Sequence, residues 1–308
     1  MKIKRKSILG IILLFLTSFI WGTAFIAQSD AMDHIGPFTM NGLRTLLAAI
    51  VLFPTALVVD KLQGKQPTLF GVKGKQEIKK TLIAGSICGI LIAVASTVQQ
   101  FGIAYTSIGK SGFLTTLYVV FVPLLALFFG KKIKFNGWIA VVLALVGMFF
   151  ICIDKSEPIN IGDVLTIICA FFFAVHILFV DKFVQDIDGI RLSLMQFSVC
   201  AVVCLICAAI FEKNNLEDIL NASFSIVYAG IFSAALGYTL QIVAQKWVAP
   251  NVAPLVMCME SVIALLAGAI MRNEVMKPHV YIGCILVFIA IVLAQIQFKE
   301  RKPKRNKK

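Results

Sequence analysis

The chain has 308 residues, 59% of them apolar or aromatic, only 15% charged, with a net charge of +13 and a mean hydropathy of +0.91. A soluble domain is nearer half apolar and a quarter charged, so a single water-soluble core is excluded and lipid is the implied solvent. The positive charge is not a nucleic-acid footprint either, because the basic residues sit beside apolar spans, where they set orientation.

In chain order, apolar segments fall at about 8–27, 38–59, 81–103, 111–129, 137–153, 164–180, 191–211, 223–244, 251–271 and 279–298. Most have the roughly 20 residues that cross hydrocarbon as helix. No strand alternation is visible, and an open sheet would leave unpaired backbone groups in lipid, so helix is expected throughout. The opening MKIKRKS and ILGIILLFLTSFIW resemble a signal peptide. No A-x-A-like site follows promptly and nine further apolar segments do, so the first segment is expected to remain as a span. With the N-terminus in the cytoplasm, 23 of the 29 Lys and Arg lie on cytoplasmic pieces, including the loop 60–80 and the tail 299–308. Only 5 (Lys110, Lys155, Lys213, Arg272 and Lys277) lie outside. That asymmetry places both termini in the cytoplasm, in a multi-pass protein of the cell membrane.

The stretch 19–54 has a weak copy at 171–206. A gapless shift of 152 positions lays Trp21 on Phe173, Gly22 on Ala174, Arg44 on Gln196 and Ala49 on Ala201. Residues 104–130 likewise resemble 244–271, and 136–151 resemble 279–294. Five spans per half is an odd number, so the second half enters the membrane from the opposite side. The expected fold is an all-α integral membrane protein of ten transmembrane helices, arranged as two inverted five-helix repeats. Their expected boundaries are 1–155 and 156–298, with 299–308 a basic cytoplasmic tail. Inverted halves are the usual architecture of alternating-access carriers, with the site at their interface near mid-membrane.

No catalytic motif is present: no G-x-S-x-G, no H-E-x-x-H, no phosphate loop and no strand–GxGxxG–helix unit. No cofactor is implied. Cys200, Cys204 and Cys207 share a helical face. No histidine or carboxylate joins them, so they read as small buried hydrophobes rather than a metal site, and no disulfide framework is implied.

Three ionisable residues lie inside spans, where they are costly and usually face a cavity or a partner. Arg44 either snorkels to the outer headgroups or anchors an anionic group of a solute. Glu260, near the middle of its segment, is a proton carrier, a counter-ion or a structural carboxyl. His176 is a packing residue or a ligand contact. Gln99, Gln100, Tyr105, Tyr118, Gln196, Tyr238 and Gln241 are each interhelical glue or lining of a wet interior; Trp21 is a belt aromatic or a wall of that interior. Gly85-x-x-x-Gly89 permits close helix approach. Pro123 removes a hydrogen bond to Val119 and bends its helix, as a hinge or a fixed shape. Pro250 and Pro254 open the ninth segment.

FIWGTAF at 19–25, GPFTMNGLRTLLAA at 36–49, VVFVP at 119–123 and the run from Met259 through Gly268 to Glu274 together resemble the drug/metabolite transporter superfamily, EamA group, over residues 8–298. Where that group often has Glu-Pro, this chain has Glu260-Ser261, which implies a straighter ninth helix. Where an acidic residue often follows a glycine near the end of the fourth helix, Gly130 is followed by Lys131 and Lys132. The resemblance implies helices 1–4 and 6–9 around a central cavity, with helices 5 and 10 peripheral. It also implies secondary transport of a small metabolite, amino acid or drug, often outward. The expected partners are the lipid bilayer, a small-molecule substrate and, through Glu260, a coupled proton. The rival readings are a membrane-embedded enzyme, which needs a nucleophile or metal cluster, a channel, which needs a continuous pore, and a sensor or scaffold, which needs an output domain.

Impermeant labelling of tags placed within 28–37 and within 60–80 is expected to report opposite faces of the membrane. Access to both from one face would overturn the inverted threading.

Overall fold

The computed structural model describes residues 2–64, 66, 68–70, 74–106, 108–128, 130, 135–152, 160–249, 252–272 and 278–295. Pro250, Lys131, Lys132, Glu274 and the tail 299–308 lie outside the described residues, among which there is no strand. The ten apolar segments are all helical. They are α1 Lys2–Met32, α2 Pro37–Leu62, α3 Lys75–Tyr105, α5 Phe135–Cys152, α6 Ile161–Phe183, α7 Gly189–Phe211 and α10 Pro278–Gln295, with three composite helices between them. The first, α4, is Ile108–Thr116 continued by Tyr118–Phe128. The second, α8, runs Ser223–Gln245, and the third, α9, is Ala253–Met257 continued by Met259–Arg272. Seven of the ten are long and apolar enough to cross a membrane, and the described parts of α5, α9 and α10 are shorter.

Burial is sorted the opposite way from a soluble protein. On α2 the buried face carries Asn41, Arg44 and Thr45, while Ile50, Phe53 and Val58 are exposed. On α1, Thr17, Ser18 and Gln28 are buried while Ile8, Ile12, Phe15 and Phe19 are exposed. Hydrocarbon offers polar groups no partner, so they turn inward and the apolar side chains face lipid.

The helices pack with exchange symmetry. Helix α2 packs on its counterpart α7, and α5 on its counterpart α10. The contacts α3–α6, α7–α3 and α6–α4 are repeated as α8–α1, α2–α8 and α1–α9. The halves therefore interleave about a two-fold axis. Helices α2 and α7 run antiparallel, since the start of each meets the end of the other. The α5–α10 pair packs through Ala140, Ala144, Met148, Val287 and Ala290 against Val119 of α4 and Leu255, Cys258 and Val262 of α9, on the outer side of those two helices.

Three helices are irregular. Helix α4 is interrupted at Leu117, not at Pro123, which lies inside its second piece. Helix α9 starts with Pro254 in its first turn and is interrupted at Cys258. At Ser261 itself the helix runs unbroken from Met259 to Arg272, and the interruption lies three residues earlier. The Ser261 hydroxyl instead donates to the Gly112 carbonyl at 3.0 Å and lies 3.1 Å from the Thr116 hydroxyl, tying the two broken helices together. Helix α8 widens into a π-helix over Tyr228–Tyr238, a form that concentrates at functional sites; its counterpart α3 is α-helical throughout.

Glycine sets the closest approaches between the halves. A Cβ on Gly89 of α3 would lie 2.7 Å from the Gln196 carbonyl oxygen of α7, and one on Gly230 of α8 would lie 3.0 Å from the Arg44 carbonyl oxygen of α2. Residues 44 and 196 are partners under the 152-residue shift, so the two contacts fall on matching carbonyls, although Gly89 and Gly230 are not themselves partners under it. Gly89→Leu is therefore expected to lower the thermal midpoint and the folded yield of the purified protein, with overpacking costing about 1–3 kcal/mol or more. Gly112→Ala, whose added carbon would meet nothing nearer than 3.8 Å, is expected to leave both unchanged.

Candidate functional site

A cavity lies where the halves meet, walled by α1, α2, α3, α4, α6, α8 and α9. Trp21 and Gln28 come from α1, Arg44 from α2, Gln99 from α3, and Thr115 and Tyr118 from α4. Phe173, His176 and Ile177 come from α6, Ser233, Tyr238 and Gln241 from α8, and Met257 and Glu260 from α9. Helices α5 and α10 contribute nothing, and neither does α7, which the resemblance places around the cavity and which instead backs the wall through Gln196. The cavity offers about 30 Å³ to the centres of water-sized molecules, enough for roughly two waters at 10–15 Å³ each.

Arg44 does not snorkel. It is 4% exposed, and its Nη1 donates to Gln28 Oε1 at 2.6 Å while its Nε–H has no protein partner. Across the cavity, Glu260 is equally buried and accepts from the Tyr118 hydroxyl at 3.3 Å. The two interrupted helices supply this pair. Tyr118 follows the break at Leu117 and Glu260 lies just past the break at Cys258, so each side chain leaves a helix at its first turn. Gly22 lets α1 close on this wall, because a Cβ there would sit 2.8 Å from the Glu260 carbonyl oxygen.

The remaining walls are aromatic and amide. Trp21 donates its indole N–H to the Ser233 carbonyl at 3.1 Å, and its ring lies 4.5 Å from that of Tyr238. Gly237 makes room for it, since a Cβ there would come within 2.7 Å of the indole nitrogen. Gln99 donates to the Thr115 hydroxyl at 3.2 Å. His176 Nε2 lies 3.0 Å from Gln196 Oε1. Gln241 Oε1 is buried with no partner.

Of the residues singled out in the sequence, Trp21, Arg44, Gln99, Tyr118, His176, Tyr238, Gln241 and Glu260 line the cavity, and Gln100 and Gln196 do not. Successive helical residues point about 100° apart, so with Gln99 facing inward Gln100 turns toward α1, where its Nε2 lies 3.5 Å from Met32 Sδ. Gln196 stands behind His176 and orients it. Tyr105 is exposed at the end of α3. The sequence reading missed Gln28, Thr115, Phe173, Ile177, Ser233 and Met257. Gln28 was legible, lying two turns after Trp21 on the same face. Phe173 was legible as the repeat partner of Trp21. Ser233 was not: five residues before Tyr238, it shares that face only because the helix there is π. Among the described residues no three of His, Cys, Asp and Glu are placed to hold a metal; Cys200 and Cys204 lie 3.9 Å apart beside Thr97.

The pattern of the EamA-like transporter family matches residues 8–153 and again 160–295. The chain is 25% identical to an uncharacterized transporter of Archaeoglobus fulgidus, over 92% of this chain and 85% of that one. It is 24% identical to an uncharacterized transporter of Clostridium kluyveri, over 92% of each. One crystal structure superposes with a TM-score of 0.73 over 93% of this chain and 96% of the other, at 14% identity; that likeness is one of fold.

A hydrogen bond to a charged group contributes about 1.5–3 kcal/mol, roughly twice a neutral one. Gln28→Met, which strips the Arg44 guanidinium of its acceptor, is expected to lower the thermal midpoint of the purified protein more than Gln196→Met, which strips His176 of its partner. The reverse order would place the charge elsewhere.

Proposed function

Because the chain belongs to the EamA-like transporter family, we propose that it is a secondary transporter that carries a small polar solute across the cytoplasmic membrane by alternating access, in the outward direction. Two five-helix halves, residues 1–155 and 156–298, move against one another around the cavity, and both termini stay on the cytoplasmic side, where the basic residues gather. The observation that carries the reading is the cavity itself, a mostly apolar space between the halves into which a few buried polar groups, Arg44 and Glu260 among them, converge. The places of Arg44 and Glu260 on different walls support distinct roles. Arg44 holds an acidic or hydrogen-bond-accepting part of the solute, and its unpartnered Nε–H is the donor left to do so. Glu260 receives a cationic or N–H part, or carries a coupled proton while the solute is absent.

Size supports the alternating step. Sites for small molecules occupy about 300–1,000 Å³, far above the room present here, so a solute enters only when the walls part toward one face.

Counterflow of candidate metabolites in proteoliposomes tests this. Arg44→Ala and Glu260→Gln are each expected to slow exchange about ten-fold or more, since each removes about 1.5–3 kcal/mol of charge-assisted bonding to the solute. Full rates in both variants would remove these residues from the site, and single-channel currents in planar bilayers would replace a carrier with a pore.

A further inference from the structure

The 152-residue shift that lays Arg44 on Gln196 also lays Thr39 on Arg191 and Asp60 on Glu212. These four residues are the ends of α2 and α7, and the structure joins them crosswise. At the face where α1 begins, here the near face, the end of α2 meets the start of α7. The Arg191 guanidinium pairs there with the Asp60 carboxylate. Both side chains are more than nine-tenths buried, and Thr68 of the α2–α3 loop closes the group, its N–H donating to Asp60 and its carbonyl accepting from Arg191, each at 3.2 Å. At the far face the end of α7 meets the start of α2. The Glu212 carboxylate accepts from the N–H groups of Phe38 and Thr39 at 2.8 Å each and from the Thr39 hydroxyl at 2.6 Å. Asn214 donates to that hydroxyl at 2.6 Å and accepts from the Gly36 N–H at 3.3 Å.

Helix starts carry unpaired N–H groups that a local side chain normally caps. Helix α7 follows that rule: Asp188 just before it accepts from Ile190 and Arg191 at 3.1 and 3.2 Å. Its repeat partner before α2 is Gly36, which has no side chain to offer. A Cβ on Gly36 would lie 2.2 Å from the Glu212 carboxyl carbon. At the far face, then, the cap of a helix in one half has been handed to the other half, and the local cap is missing at the position where it would interfere.

We propose that these two clamps are the paired gates of the carrier, each holding the halves shut at its own face, and that opening to one side releases the clamp there while the other stays made. The proposal rests on the alternating-access reading above. The structure has both clamps made around a cavity with room for about two waters, a state in which neither gate is released. The clamps differ in strength. The near one joins two buried ions, whereas the far one joins a half-buried carboxylate to uncharged donors, so the far face is the easier to open.

Native cysteines on the α3–α7 seam report on the two ends. Cys88 of α3 packs toward the near face with Val184 and Leu192, and Cys204 of α7 packs toward the far face against Thr97. Both are buried. Full-length protein in proteoliposomes, with an impermeant maleimide on both sides, is followed by peptide mass spectrometry. Where opening precedes labelling, the rate tracks the open fraction. Asp60→Asn is expected to speed labelling of Cys88 about ten-fold or more while Cys204 stays within about two-fold. Glu212→Gln and Gly36→Asp, the latter restoring a local cap, are expected to do the opposite. If Asp60→Asn fails to enter the membrane because Arg191 keeps only the exposed Asp188, at 3.5 Å, as a counter-charge, Asp60→Asn/Arg191→Gln removes both buried charges and carries the same expectation. Unchanged rates at both cysteines, or acceleration at both together in every variant, would overturn the proposal. Labelling reads access and not solute flux, so this outcome is independent of whether the transport assay succeeds.

Discussion

The structure depends on one constraint: a polar group facing hydrocarbon has no partner. Backbone groups meet it by forming helices, and side chains meet it by turning inward. Arg44, Gln99, His176, Gln241 and Glu260 sit on five different helices, and each faces the middle of the bundle. Because both halves obey the same rule, their polar stripes meet along one seam. Glycine then decides how closely the seam closes, as where Gly89 and Gly230 rest on the carbonyls of residues 196 and 44.

The two-fold axis through that seam explains most of the packing, and the departures from it mark the site. Residue 44 is an arginine in one half and its partner at 196 is a glutamine, so the positive charge lies to one side of the axis. The aromatic wall is Trp21 in one half and Phe173 in the other. One third helix is regular, α3, and its counterpart α8 is π over eleven residues. A symmetric scaffold gives the two faces of the membrane equivalent machinery, and an asymmetric centre gives a bound solute a single orientation. The ends of α2 and α7 show the same division: the positions match, but an ion pair at one end answers a capped helix start at the other.

The repeat made part of this legible without coordinates. The shift that aligned Trp21 with Phe173 and Arg44 with Gln196 took in three residues of the cavity wall and one that stands behind it. It failed where the chain departs from an ideal α-helix. The breaks at Leu117 and Cys258 fall at neither Pro123 nor Ser261, and the π stretch of α8 brings Ser233 beside Tyr238. Such irregularities come from contacts with helices far away in the chain, such as Ser261 with Gly112 and Trp21 with Ser233, and local composition carries no trace of them.

By itself the sequence determined the solvent, the helices, their number and the family, because these follow from hydropathy, segment length and internal repetition, each of which is a property of neighbouring residues. Only the tertiary structure decided which of the intramembrane polar residues share one space, how small that space is, and that Glu212 caps a helix 173 residues away at Thr39. Those outcomes depend on helix rotation and on approach across the seam, where 100° or an ångström moves a side chain from wall to lipid, and a linear pattern does not encode either.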